Sequence, residues 1–310
     1  MANNISKSPK IKEILSSQKF KHNFLGYTYL LPTLIVTAIF VVYPLFMAFR
    51  MGFYEQYNYY TDTGTGFGLA TFEFVLNDPY FQKAVINTLL MVVIALPISM
   101  IVALGIALLL NAGIKATPFF QAIYFLPYVT SVIAIGIVWS WLFHSDFGYI
   151  NQILGFFGVD PIQWLNDPKT AIWALIIFNI WNGLAFKVVI FLSGLQNIDP
   201  QYYKAAQIDG TPKTKVFRRI TLPLLSPTIF FLTITSVIGS FKVYNEVFAL
   251  FGGKPGPANS CMTIVYYIYD MFYNASQVHK AAAASIILFL IILVVTLIQM
   301  WVSKKLVHYN

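Results

Sequence analysis

Apolar residues in this chain come in blocks, at about 25–49, 84–110, 119–143, 171–194, 224–250 and 281–303. Each is about 20 residues or longer, the length a helix needs to cross the hydrocarbon core of a bilayer. The pattern predicts an all-α integral membrane protein. Six transmembrane helices fill residues 25–306, behind a tail at 1–24. Pro32, Pro44, Pro97 and Pro127 fall inside the blocks. Neighbouring helices and local backbone adjustments re-satisfy groups freed by proline, so kinks are expected rather than breaks. No internal repeat or low-complexity tract is evident.

Composition sharpens this picture. The 310 residues are 58% hydrophobic and only 10% charged, against about 25% charged in soluble domains. Lysine and arginine are unevenly shared between the connections. One side holds Lys7, Lys10, Lys12, Lys19, Lys21, Lys115, Lys204, Lys213, Lys215, Arg218, Arg219, Lys304 and Lys305. The other side holds Arg50, Lys83, Lys169, Lys254 and Lys280. Cytoplasmic loops carry such an excess, which puts both termini in the cytoplasm. The net charge of +8 comes from this bias and does not point to nucleic acid. The first block is too long for a cleaved signal peptide and is read as an uncleaved span. Before it, "IKEILSSQKFKHNF" is basic and weakly amphipathic, which suits either a short helix lying on membrane lipid or a frayed tail. The single cysteine, Cys261, is expected in an outward loop between the fifth and sixth spans, open to thiol reagents. The four histidines lie far apart, and no metal site is expected.

The most polar interior stretch is "YYKAAQIDGTPKTKVFRRITLP", residues 202–223, within a loop taken as 195–222. Asp199-Pro200 reads as an N-cap followed by proline at the first helical position. A helix should run to about Asp209 and stop at Gly210. Thr211-Pro212 repeats the start signal, for a second helix to about Arg219. Tyr202, Ala205 and Ala206 should share a face on which another surface could dock. Connectors are usually about 4–6 residues long, so a loop of two capped helices is expected to bind something.

The loop resembles that of the permeases of ATP-binding-cassette importers. There, Glu-Ala-Ala, three residues, Gly, nine residues and Ile-x-Leu-Pro precede the penultimate span. Here Lys204-Ala205-Ala206 is followed at the same spacing by Gly210 and Ile220-Thr221-Leu222-Pro223. Asp209-Gly210, "FRRI" (217–220) and "GGKPGPANSCMTIVYYIY" (252–269) look like the maltose-type carbohydrate branch, and its first permease. The resemblance implies a multi-pass protein of a prokaryotic cell membrane. It also implies a heterodimer with a second permease, a cytoplasmic ATPase dimer that carries ATP and Mg, an extracytoplasmic solute-binding protein and a carbohydrate substrate. Tyr203, Lys204, Ala205, Ala206, Asp209, Gly210, Arg218, Ile220 and Pro223 would then form the coupling element held in a groove of the ATPase. Lys204 departs from the family's Glu, so that carboxylate's salt bridge cannot form. Either the ATPase is adapted to it, or docking uses the apolar face and the remaining basic residues.

The chain carries no cofactor motif of its own. No Gly-x-x-x-x-Gly-Lys-Ser/Thr loop occurs, since Gly252-Gly253-Lys254 runs into Pro255. No nucleophile elbow or carboxylate pair with an adjacent His is found, so catalysis is not expected. Polar groups inside spans are the functional candidates. Asn179, Asn182, Gly183 and Phe186 recur at helical spacing in the fourth block. Thr233, Ser236, Ser240 and Tyr244 do so in the fifth. Amides, hydroxyls and aromatic faces suit a sugar. In maltose-type permeases the positions matching Asn179, Gly183, Phe186, Ser236 and Ser240 look like those lining the substrate cavity. Such residues also serve as helix-packing contacts. Lys242 and Glu246 suggest an i,i+4 ion pair. Lys187 could snorkel, pair across the heterodimer, or bind an anionic substrate such as a glycerol phosphate-type polyol ester. A self-contained secondary transporter or channel is the rival class, and a membrane enzyme a distant one. Secondary transporters often show internal repeats and a buried coupling carboxylate. Here the only carboxylate in a block is Glu246.

Overall fold

The computed structural model describes residues 18–112, 119 and 128–306. The chain forms two units, residues 1–51 and residues 52–310. The first block becomes the helix Leu25–Gly52, 28 residues long. Residues 18–24 continue this helix backwards, while 11–17 lie outside the described residues. The second, fourth and sixth blocks become Pro79–Asn111, Pro168–Gln196 and Val278–Lys304. These four helices are long and apolar enough to cross a membrane. Most of the first half of the third block, Pro127 included, lies outside the described residues. Its second half is the helix Val132–Leu142.

The prolines act through their missing N–H and through their clash with the carbonyl four residues back. At Pro44 and Pro97 the chain answers with π-helical turns just upstream, at Ala38–Val42 and Met91–Ala95. A third such turn, Phe217–Thr221, precedes Pro223. A π turn inserts one residue into the helical ladder, so the helix accommodates the proline and continues. The helices Leu25–Gly52 and Pro79–Asn111 therefore run on through Pro44 and Pro97 without a break.

The fifth block differs from its expected course. Its helix spans Ser226–Phe241 and meets the preceding helical run, Lys213–Leu224, at 63°. It then stops at Lys242, and Tyr244 takes non-helical angles (φ −143°, ψ −53°). A separate helix, Asn245–Leu250, follows. This short helix packs against Val132–Leu142, where Gly136 faces Ala249 too closely for any side chain. The Val243 carbonyl near the break accepts a 2.6 Å hydrogen bond from the Thr263 hydroxyl. The break overturns the Lys242–Glu246 pair. Lys242 is exposed, Glu246 starts a new helix, and among the described residues no ion pair joins them. Tyr244 likewise leaves the helical register of Ser236 and Ser240.

Buried side chains gather in two clusters. One joins the second, fourth, fifth and last long helices through Ala103, Ala107, Phe191, Leu195, Leu232, Ala283 and Leu288. Small residues let backbones approach; a side chain at Gly194 would collide with Thr228 on the fifth helix. The other cluster holds Met91, Phe143, Leu175, Phe178, Val247 and Tyr266.

Within the segment 252–269, residues 260–267 form a largely buried wedge. Asn87 donates to the carbonyls of Ser260 and Met262, both at 2.8 Å. The Thr88 hydroxyl accepts from Ile264 N at 3.1 Å, and Tyr267 donates to Asp78 at 2.7 Å. Irregular backbone persists inside a membrane protein only where its polar groups are satisfied in this way. Cys261 is fully buried in the wedge, and burial pushes its thiol pKa up to about 12. Its expected openness to thiol reagents is thus corrected. The sequence pattern also missed the antiparallel hairpin Tyr54–Asn58 with Thr63–Phe67.

Candidate functional site

Two places combine polar chemistry with a break in regular structure. One lies along the fourth long helix. Asp167 caps its start by accepting from Lys169 N at 2.9 Å, with Pro168 at the first helical position. The α-helix runs to Asn182, is interrupted at Gly183 (φ −80°, ψ −7°), and resumes over Leu184–Gln196. At this interruption the structure has a cavity of about 260 Å³. Asn182, Gly183, Phe186 and Lys187 line it from the fourth helix, Thr235 and Ser236 from the fifth, and Tyr128 and Val132 from the third. The Tyr128 and Phe186 rings stack with centroids 5.9 Å apart and planes 18° apart.

Of the residues singled out in the sequence, Asn182, Gly183, Phe186 and Ser236 thus meet at one cavity. Asn179 stands half-buried one turn earlier and is not part of the lining, nor are Ser240 and Tyr244. Ser240 is buried elsewhere, at 8% exposure. Tyr244 joins an aromatic group with Tyr266 and Tyr269. Sequence reasoning missed Tyr128, Val132 and Thr235. A hydroxyl one residue from Ser236 was the only local signal for Thr235, and nothing local marked the other two. Lys187 does not snorkel. It is 8% exposed and its Nζ donates to the Gly183 carbonyl at 3.1 Å.

The second place is the polar loop. The fourth helix continues to Gln196, so the loop starts two residues later than expected. Asp199 accepts from Gln201 N at 2.8 Å and starts the helix Pro200–Ile208. Gly210 ends it with φ +65°. Gly210 N donates to Gln207 O at 3.1 Å and Thr211 N to Ala206 O at 2.9 Å, the paired bonds of a Schellman stop. The second helix begins at Lys213, after Pro212, without a side-chain cap. Thr211-Pro212 therefore does not repeat the Asp199-Pro200 device. The α-helix Lys213–Val216 passes into the π turn Phe217–Thr221.

The loop's faces sort differently from the expected docking face. Ala206 is buried, and half-buried Tyr203 lies with its hydroxyl 3.2 Å from that of Thr221. These two hold the first helix to the rest of the chain. Tyr202, Lys204, Ala205 and Asp209 are exposed, as are Gly210 and Arg218, and Ile208 is 86% exposed. Ile220 and Pro223 are half-buried. The outward surface is thus Tyr202, Ala205 and Ile208, flanked by Lys204.

Residues 95–308 match the family described as "Binding-protein-dependent transport system inner membrane component". The chain belongs to this family. It is similar to the lactose transport system permease protein LacF of Rhizobium radiobacter, at 32% identity, covering 94% of this chain and 97% of that one. It is also similar to the trehalose/maltose transport system permease protein MalF of Thermococcus litoralis, at 28% identity over 94% and 97% of the two chains. Its structure resembles a chain of a bacterial alginate transporter solved with an alginate pentasaccharide-bound periplasmic protein. That match has a TM-score of 0.77 and 26% identity, and it covers 94% of this chain and 98% of the other. The family makes this chain a multi-pass permease of a binding-protein-dependent importer. The polar loop and the cavity are the features to be explained in such a permease.

Proposed function

We propose that this permease imports a carbohydrate as one half of a heterodimer of six-span subunits. Both termini face the cytoplasm, where an ATPase dimer holding ATP and Mg drives transport. Three similar proteins bear names or descriptions that refer to lactose, trehalose and maltose, or alginate, and this supports a sugar as cargo. The observation that carries the reading is the cavity at Gly183. An amide, a hydroxyl and an aromatic face converge there inside membrane-crossing helices, and hydrogen bonding with ring stacking is how proteins hold sugars.

Coupling runs through residues 197–223. The exposed face of Tyr202, Ala205 and Ile208 seats in a groove of the ATPase. Lys204 stands where the family's Glu is usual, and meets a carboxylate or carbonyl of that groove. Gly210 sets the angle between the two short helices, so movement of the ATPase reaches the fifth long helix through the Phe217–Thr221 turn. The test is uptake of labelled oligosaccharide into proteoliposomes holding the assembled transporter. Uptake should require ATP on the loop's side and the binding protein on the other. Uptake driven by an ion gradient without ATP would replace this reading with a secondary transporter.

A further inference from the structure

Lys187 lies within a membrane-crossing helix, where an ionisable side chain is costly and is a functional candidate by default. A lysine near a span end normally stretches its stem to carry the ammonium to water. Here the stem folds back one turn instead, and Nζ meets the Gly183 carbonyl at 3.1 Å. The local sequence makes room for this. A methyl group at position 183 would stand 2.6 Å from Nζ, so the glycine at the helix interruption leaves the space that the ammonium fills. The carbonyl takes one of three N–H donors. The other side chains around the cavity are an amide, hydroxyls, aromatic rings and a valine, with no carboxylate among the described lining residues. Among the described residues Lys187 forms no ion pair. A buried cation thus faces a cavity without a counter-ion among the described residues, and buried charges are normally paired.

We propose that the Gly183 cavity is a subsite for an anionic sugar, with the Lys187 ammonium receiving a carboxylate or phosphate on the cargo. This rests on the reading of the cavity as the sugar path. Asn182 and Ser236 take sugar hydroxyls, and the Phe186 ring, stacked with Tyr128, covers an apolar sugar face. Lys187 is the residue that separates charged from neutral cargo. The rival is a carboxylate of the second permease that pairs with Lys187 in the assembled transporter.

The test titrates the complete purified transporter in nanodiscs with two matched pairs of sugars: digalacturonate against its dimethyl ester, and glucose 6-phosphate against glucose. The wild type should bind the anionic member of at least one pair tenfold or more tighter than its neutral counterpart. The pair that discriminates tells carboxylate from phosphate. Lys187→Met and Lys187→Gln should reduce that ratio to below about threefold, and Lys187→Arg should keep most of it. Reading the ratio cancels a general loss of folded protein, and Lys187→Gln keeps a polar side chain if Lys187→Met fails to assemble. Equal affinities in both pairs for the wild type overturn the proposal, as does a preference that survives Lys187→Gln. No saturable binding of any of the four sugars overturns it too. Asn182→Leu separates the two layers of argument. If it weakens the neutral sugars while the wild type shows no anion preference, the cavity stands and only the role of Lys187 falls. If neutral binding ignores Asn182→Leu, the cavity reading fails and the anion subsite with it.

Discussion

Gly210 offers a graded test of coupling because its environment isolates one physical cause. Its φ is +65°, and a Cβ built there meets nothing within 4 Å. Within this chain, a Cβ at position 210 therefore costs backbone strain and meets no steric clash. The left-handed conformation costs an L-residue roughly 1–2 kcal/mol, with Asn tolerated better than most. Leaving that conformation would give up the bonds from Gly210 N to Gln207 O and from Thr211 N to Ala206 O. The second helix would then point elsewhere. Gly210→Ala, at about 1 kcal/mol, should lower the ratio of correctly set to misset elbows about fivefold. Gly210→Val, β-branched and at the upper end of about 2 kcal/mol, should lower it about thirtyfold. Gly210→Asn should stay near wild type although it is as large as Val. The assay is ATPase co-purified per permease, followed by substrate-stimulated hydrolysis and uptake, with membrane abundance as a control. The expected order is Gly, Asn, Ala, Val. If Asn is as damaging as Val, side-chain bulk at the ATPase contact is the cause. Wild-type coupling in Gly210→Val would remove the elbow from the mechanism altogether.

Three further outcomes follow from the same structure. Ser236→Ala should weaken apparent sugar affinity several-fold, for a lost hydrogen bond of about 0.5–1.5 kcal/mol, and Asn182→Leu should do more; Ser240→Ala, outside the cavity lining, should leave uptake per molecule at the wild-type level. Cys261, with a thiol held near pKa 12 against an ordinary value of about 8.5, should react with maleimide at pH 8 about a thousandfold or more slowly than a free thiol and at a normal rate after denaturation, so rapid labelling of the folded transporter would contradict the buried wedge. Asn87→Leu orphans the carbonyls of Ser260 and Met262 and should destabilise the transporter by about 1–3 kcal/mol per stranded group, read as a lower unfolding temperature in detergent with ATPase co-purification retained.

Hydrophobic patterning is enough to fix the solvent this chain folds in and most of its long helices. Their apolar blocks are long enough that no other environment suits them. Local sequence also determined the loop's first helix and its stop, because Asp199-Pro200 and Gly210 act through local backbone chemistry that needs no distant partner. The start of the second helix was not so fixed. Thr211-Pro212 has the same local form, yet the side chain of Thr211 makes no cap there. Tertiary structure alone decided where the fifth helix ends. Periodicity runs on through 242–250, but the Val243 carbonyl is taken by Thr263, twenty residues away, and Asn245–Leu250 finds its packing on another helix. The same holds for Cys261, whose place between two apolar blocks and the Lys/Arg asymmetry suggested an outward loop and whose neighbours in space bury it. The cavity divides along this line. Asn182, Phe186 and Ser236 could be named from type and spacing, because they lie near the helix surface that their periodicity defines. Ser240 and Tyr244 share that periodicity but not the cavity. Tyr128 enters from a third helix, and the inward fold of Lys187 depends on the space left at Gly183, which only the packed helices reveal.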